Sequence, residues 1–209
     1  MASSEPALTG RETGRAPLFL YEFSSPYSYF SAHRVDILMP TPVRWQPILF
    51  GALAQSIGKV PWSLQRGGER DRRMEECEAR AAALGLPLTW PRDWPLGTYS
   101  VLAARAALAA SEQGLLREFS LEAFRVGLGH GRDLTDPEVV WDAGRAVGAD
   151  VDALAAAVER ADLKQALREA TEAAARRGVT GVPTVEVGTE RFWGDDRLED
   201  AARAAAARG

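Results

Sequence analysis

Three short segments combine residue types that could do chemistry. The first is Ser25-Pro26-Tyr27-Ser28, placed where an apolar run, residues 17–23, gives way to a helical pattern. A serine followed by proline at that junction is an N-cap, and its hydroxyl shares the helix start with unpaired backbone N–H groups. An anion brought there, such as the thiolate of a bound ligand, would gain ~0.3–1 kcal/mol from the helix end and have its pKa lowered. Capping alone would explain the same serine. The second segment is Val182-Pro183, preceded by glycine and followed by a β-forming run. A proline at a strand start is compatible with a cis bond that presents the backbone of Val182 to a peptide-like ligand, or with ordinary strand initiation. The third is Trp193-Gly194-Asp195-Asp196-Arg197. A helix start with adjacent carboxylates can bind both ends of an amino acid, or it can be a favourable cap and nothing more.

The elements that position these segments follow from patterning. Strands are expected over 17–23 and 43–49, the second weakened by Pro47, with a hairpin at 184–187 and 191–193. Helices are expected over 26–39, 51–58, 65–84, 99–113, 115–128, 136–147 and 151–177, the last broken near Ala161-Asp162, and a final one capped by Gly194-Asp195-Asp196 and running to about 207. The order is β-α-β, a long helical block, then β-β-α. Residues 1–16 are polar and read as a flexible tail without the apolar core of a secretory signal, leaving 17–209 as one domain with an insertion over about 63–165.

Bulk properties exclude several functions. With 25 Lys and Arg against 29 Asp and Glu, the net charge is −4, and no basic face for nucleic acid is indicated. No apolar run is long enough to span a bilayer. A single cysteine, Cys77, rules out intramolecular dithiol chemistry. His33 and His130 have no partners at metal-ligand spacing, so no metal is expected. A cytoplasmic protein is the expectation.

The three segments in this order resemble the 2-hydroxychromene-2-carboxylate isomerases and the kappa-class glutathione transferases, thioredoxin-like α/β proteins with a large all-helical insertion, related to the oxidoreductase DsbA. The stretches YEFSSPYSYFSAHR, VRWQPILFGAL, GHGRDLTDPEVV and RGVTGVPTVEVGTERFWGDDRLED carry the likeness, which covers about residues 17–200. The resemblance implies that Ser25 and Ser28 stand where a redox pair has cysteines, so disulfide exchange is lost. It implies that Ser25 donates to the thiolate of glutathione or another small thiol. Val182, before a cis-Pro183, would pair with the cysteinyl unit, and Asp195 and Asp196 would hold the γ-glutamyl end. The implied reaction is reversible thiolate addition to an unsaturated aromatic carbonyl compound. A transferase would release the adduct, and a binding module would do neither. A homodimer is implied as well.

The substrate side matches less closely. Gln55 and Lys59 stand where the isomerases carry lysine and asparagine, and Gly97-Thr98-Tyr99-Ser100 lacks a family asparagine. Tyr27, Lys59, Trp62 and Tyr99 are the expected substrate-side residues. Trp62, Trp90, Trp94 and Tyr99 would either roof an aromatic pocket or pack inserted helices on the core. Arg66, Arg70, Arg72 and Arg73 would either bind a substrate carboxylate or coat an amphipathic helix.

Overall fold

The computed structural model describes residues 16–65, 67–95 and 100–208. Residues 1–15 of the expected tail at 1–16, Arg66 and the segment 96–99 containing Tyr99 lie outside the described residues. Strand β1 (Leu18–Tyr21) leads into helix α1 (Pro26–Ala32), a short α2 (Val35–Leu38), strand β2 (Arg44–Pro47) and helix α3 (Phe50–Ser56). A 3-10 turn, Trp62–Leu64, precedes α4 (Gly68–Ala83). Then come α5 (Val101–Glu112), α6 (Leu116–Phe124), α7 (Pro137–Ala146), α8 (Val151–Ala157) and α9 (Ala161–Arg176). The hairpin β3 (Thr184–Val187) and β4 (Glu190–Trp193) and helix α10 (Leu198–Ala206) complete the fold.

The sheet order is β2-β1-β3-β4, with β1 parallel to β2 and antiparallel to β3. Strands from the two ends of the chain are thus joined at β1, with the inserted helices lying between β2 and β3 in sequence. Alternation along β1 divides the core as a period of two requires. Phe19, Tyr21 and the following Phe23 enter the large cluster shared with the inserted helices, whereas Leu20 joins Ile48, Leu53, Ala174 and Val179 on the other face. The buried Tyr21 hydroxyl meets Ser120 Oγ at 2.6 Å, tying β1 to α6. Pro47 is tolerated because β2 is an edge strand and Pro47 is its last residue.

Three expected helices depart from their expected bounds. The helix expected over 26–39 breaks at His33-Arg34, where Arg34 leaves helical geometry and its guanidinium reaches Asp195 and Glu199. The helix expected over 115–128 closes as a π-helical turn, Arg125–Gly129. There Leu134 occupies the place of a Gly127 side chain, and Leu128 C=O accepts from Thr89 N–H at 2.7 Å. The last helix starts at Leu198, preceded by a 3-10 turn, Asp195–Arg197.

Candidate active site

Ser25 caps α1: its Oγ accepts from Ser28 N–H at 3.2 Å. Pro26 at the first helical position needs no donor partner, so the local sequence suffices to start the helix there. Ser25 lines a cavity of about 660 Å³, within the ~300–1,000 Å³ usual for small-ligand sites. Tyr27, Lys59, Trp62, Val182, Asp195 and Asp196 line the same cavity, so segments more than a hundred residues apart in sequence meet at one place. The Val182-Pro183 bond is cis. Pro183 is buried behind the cavity wall, and its carbonyl accepts from Gly194 N–H at 3.0 Å. Gln55 is exposed on α3 and does not line the cavity.

The two neighbouring aspartates have separate surroundings. Gly194, at φ +120, adopts a backbone conformation closed to other residues, and Asp196 Oδ1 folds back to where its Cβ would be. The chain therefore sends Asp195 inward and Asp196 outward. Asp195 is 4% exposed: Oδ1 accepts from Arg34 at 2.7 Å and Ser31 at 3.3 Å, and Oδ2 from Arg80 at 2.6 Å. Both Asp195 oxygens are thus engaged by side chains of the protein itself. Asp196 is exposed at the cavity edge, with no side-chain ion pair among the described residues.

One wall is aromatic. Trp62 packs 5.5 Å from Trp94 and 6.2 Å from Tyr27 between ring centroids. The buried Trp94 donates its indole N–H to Ser24 C=O at 2.8 Å. Trp90 lies behind Trp94 at 4.5 Å, bonds Glu78 and does not line the cavity. The tryptophans thus divide: Trp62 and Trp94 wall the pocket, and Trp90 supports them. The proline-rich loop carrying Trp90 and Trp94 is held by Tyr29, whose hydroxyl donates to Pro87 C=O, and by the π-helical turn.

On the opposite side, Trp193 is 51% exposed yet seated over Gly181, where any Cβ would come within 2.3 Å of its indole nitrogen. The Lys59 ammonium lies 3.9 Å over that ring and donates to Thr180 C=O at 3.0 Å. Partial burial lowers the Lys59 pKa.

The arginines of α4 also divide. Arg73 lines the cavity, pairs with Glu69 and meets the Tyr27 phenol. Arg70 donates to Trp94 C=O, and Arg72 pairs outside with Glu69 and Glu76. Arg80, to which sequence patterning assigned nothing, reaches the cavity through Asp195. Burial first, then contact with Cys77, pushes the Tyr27 phenol up to about 12, and burial pushes the Cys77 thiol up to about 11.

Sequence reasoning also passed over Glu22. Its carboxylate is 8% exposed and lines the cavity. It accepts from Ser24 Oγ at 2.6 Å, from Ser24 N–H at 3.2 Å and from the Ser100 hydroxyl. Burial raises its pKa, and these three donors only partly offset the desolvation. A lone acidic residue at a strand end gives no signal in one sequence that it will be buried.

A four-stranded mixed sheet with helices inserted between its second and third strands, and a serine cap and a cis-proline meeting at one cavity, define a thioredoxin fold of the DsbA type. The chain belongs to the DSBA-like thioredoxin domain family, whose profile matches residues 18–206. Among its relatives, the 2-hydroxychromene-2-carboxylate isomerase of Sphingobium xenophagum is 29% identical over 185 residues, 87% of this chain and 93% of that protein. Human glutathione S-transferase kappa 1 is 25% identical over 195 residues, 86% of this chain and 85% of that protein. A solved structure of a 2-hydroxychromene-2-carboxylate isomerase shares the fold, with a TM-score of 0.79 at 22% identity, covering 92% of this chain and 95% of the other. Within the family, these names support an isomerase or glutathione-related function.

Proposed function

We propose that the chain is a glutathione-dependent isomerase of the 2-hydroxychromene-2-carboxylate isomerase type, with the nucleophile carried by the cofactor. The observation that carries this reading is the state of Ser25. Its oxygen accepts from Ser28 N–H, which leaves its own proton as a donor at the wall of the cavity. A sulfur anion seated there receives a charge-assisted hydrogen bond. The backbone of Val182 pairs with the cysteinyl unit, beside the buried Pro183 that fixes the turn. The free carboxylate of Asp196 takes the γ-glutamyl ammonium, and Asp195 holds the turn that presents Asp196.

The substrate, an aromatic compound with a carbonyl conjugated to a double bond, lies against Trp62 and Trp94, near Tyr27 and Arg73. The thiolate adds to the alkene carbon and the π electrons move to the carbonyl oxygen. Rotation occurs about the resulting single bond. Return of the electrons expels the thiolate and yields the isomer, with no net proton change. The relationship to human glutathione S-transferase kappa 1 favours one second reading, in which the adduct is released as a conjugate. Tyr99 remains part of the proposed substrate side by resemblance alone. A homodimer in the cytoplasm completes the proposal. No helix among the described residues is long and apolar enough to cross a membrane.

The test is calorimetric titration with glutathione while thiolate absorbance is followed against pH, for the parent protein and Ser25→Ala. Loss of a hydrogen bond to a charged sulfur costs ~1.5–3 kcal/mol, so the bound thiol pKa is expected to rise by ~1–2 in the variant. Binding with identical thiol titration in both proteins would remove Ser25 from the role. A stable conjugate with an unsaturated carbonyl substrate, in place of an isomer, would select the transferase.

A further inference from the structure

Glu22 is a carboxyl group walled into the cavity by hydroxyls, with no ion pair to it among the described residues. The cations that share the cavity are engaged elsewhere: Arg80 by Asp195, Arg73 by Glu69, and Lys59 by Trp193 and Thr180. The remaining acidic groups there are the phenol of Tyr27 and the carboxylates of Glu76, Asp195 and Asp196. Ser24, adjacent to Ser25, lines the cavity and donates its hydroxyl to Glu22 Oε2 at 2.6 Å. Its Oγ lone pairs remain available to accept. A thiolate docking at Ser25 would therefore place a second negative charge near a buried carboxylate that has no ion pair among the described residues.

We propose that Glu22 receives the proton that the cofactor thiol gives up on docking, through the Ser24 hydroxyl. This rests on the reading of Ser25 as the thiol site. The S–H bond breaks as its proton moves to Ser24 Oγ, and the Ser24 O–H proton moves to Glu22 Oε2. The charge passes from carboxylate to sulfur, and the total charge of the site is unchanged. During isomerisation the proton stays on Glu22, because the thiolate is regenerated. In conjugation the same proton is delivered, by the reverse relay, to the carbon next to the carbonyl. Burial raises the pKa of Glu22, which favours the protonated form that this step produces.

The experiment is glutathione binding by calorimetry to the full chain at neutral pH, in buffers of different ionisation enthalpy, with thiolate absorbance recorded in parallel. The difference between buffers counts the protons released per thiolate formed. The parent protein is expected to form thiolate while releasing well under one proton, whereas Glu22→Gln releases about one. Glu22→Asp, which disturbs packing but keeps an acid, is expected to restore capture, an outcome a merely structural role would not produce. Thiolate formation with about one proton released by the parent protein would overturn the Glu22 proposal and leave the thiol site intact. Equal release by the parent and Glu22→Gln would overturn it as well. No thiolate in the parent protein would remove the Ser25 reading and this inference together.

Discussion

Neighbouring aspartates of the same chemistry, Asp195 and Asp196, should respond in opposite ways to the same change. Asp195→Asn leaves Arg34 and Arg80 without their shared partner. The loss is expected at about 2 kcal/mol, below the ~3–5 of a fully buried pair because Arg80 is 37% exposed. That corresponds to about 4–8 °C in Tm, measured by thermal unfolding. Asp196→Asn should leave Tm unchanged and weaken glutathione binding about tenfold in calorimetry. If the two variants exchanged phenotypes, the division of roles would be wrong. Glu22 adds a pH signature. Burial raises its pKa, so its stabilising share is complete only below the ordinary carboxylate range and falls as pH rises above it. Glu22→Gln should accordingly match or exceed the parent in urea stability at neutral pH, with the advantage vanishing in acid.

At the scale of elements, the site depends on the fit between the segment before β3 and the end of β4. Gly181 gives Trp193 its place, and Trp193 gives Lys59 its platform. Gly181→Val has no room for its side chain and must displace the indole. The expected result is a several-fold rise in glutathione Kd with little change in fold, read by calorimetry and by the tryptophan fluorescence of the bound and free protein. Unchanged affinity would place this wall outside the binding surface. On the other side, the proline-rich loop depends on the end of α6. Gly127 and Gly129 let that turn approach Leu134 and Tyr29, and the loop then carries Trp94 to Ser24.

Across the whole molecule, the one thiol lies between the helical insertion and the first helix. Cys77 is fully buried beneath Tyr27, and burial lifts its pKa from 9.0 to about 11. A raised pKa here means that the folded state holds the proton more tightly. Its contribution is therefore whole below about pH 9 and is lost as pH climbs through about 11. Thiol reagents should leave the native protein unmodified at neutral pH and react once urea unfolds it. Cys77→Ala should show a shallower loss of urea stability in that alkaline window. Rapid modification of the native protein would contradict the packing of α4 on α1.

Local sequence alone determined the Ser25 cap, the Pro26 helix start, the first strand and the hairpin at 184–193, because propensity, capping and turn chemistry act over a few residues. The resemblance to the isomerases, added to these local signals, marked Ser25, Tyr27, Lys59, Trp62, Val182, Asp195 and Asp196, which line the cavity. What neither could determine were interactions between residues far apart in sequence. The break at Arg34 requires Asp195, 161 residues on, and the separation of Asp195 from Asp196 requires Arg80 from the insertion. The tryptophans, alike in sequence, became wall or support only once α4 and the proline-rich loop were placed. Glu22 followed the same rule. Ser24 is two residues away, but Ser100 and the surrounding burial come from the insertion, and only their assembly makes this carboxyl a buried acid at the cavity wall.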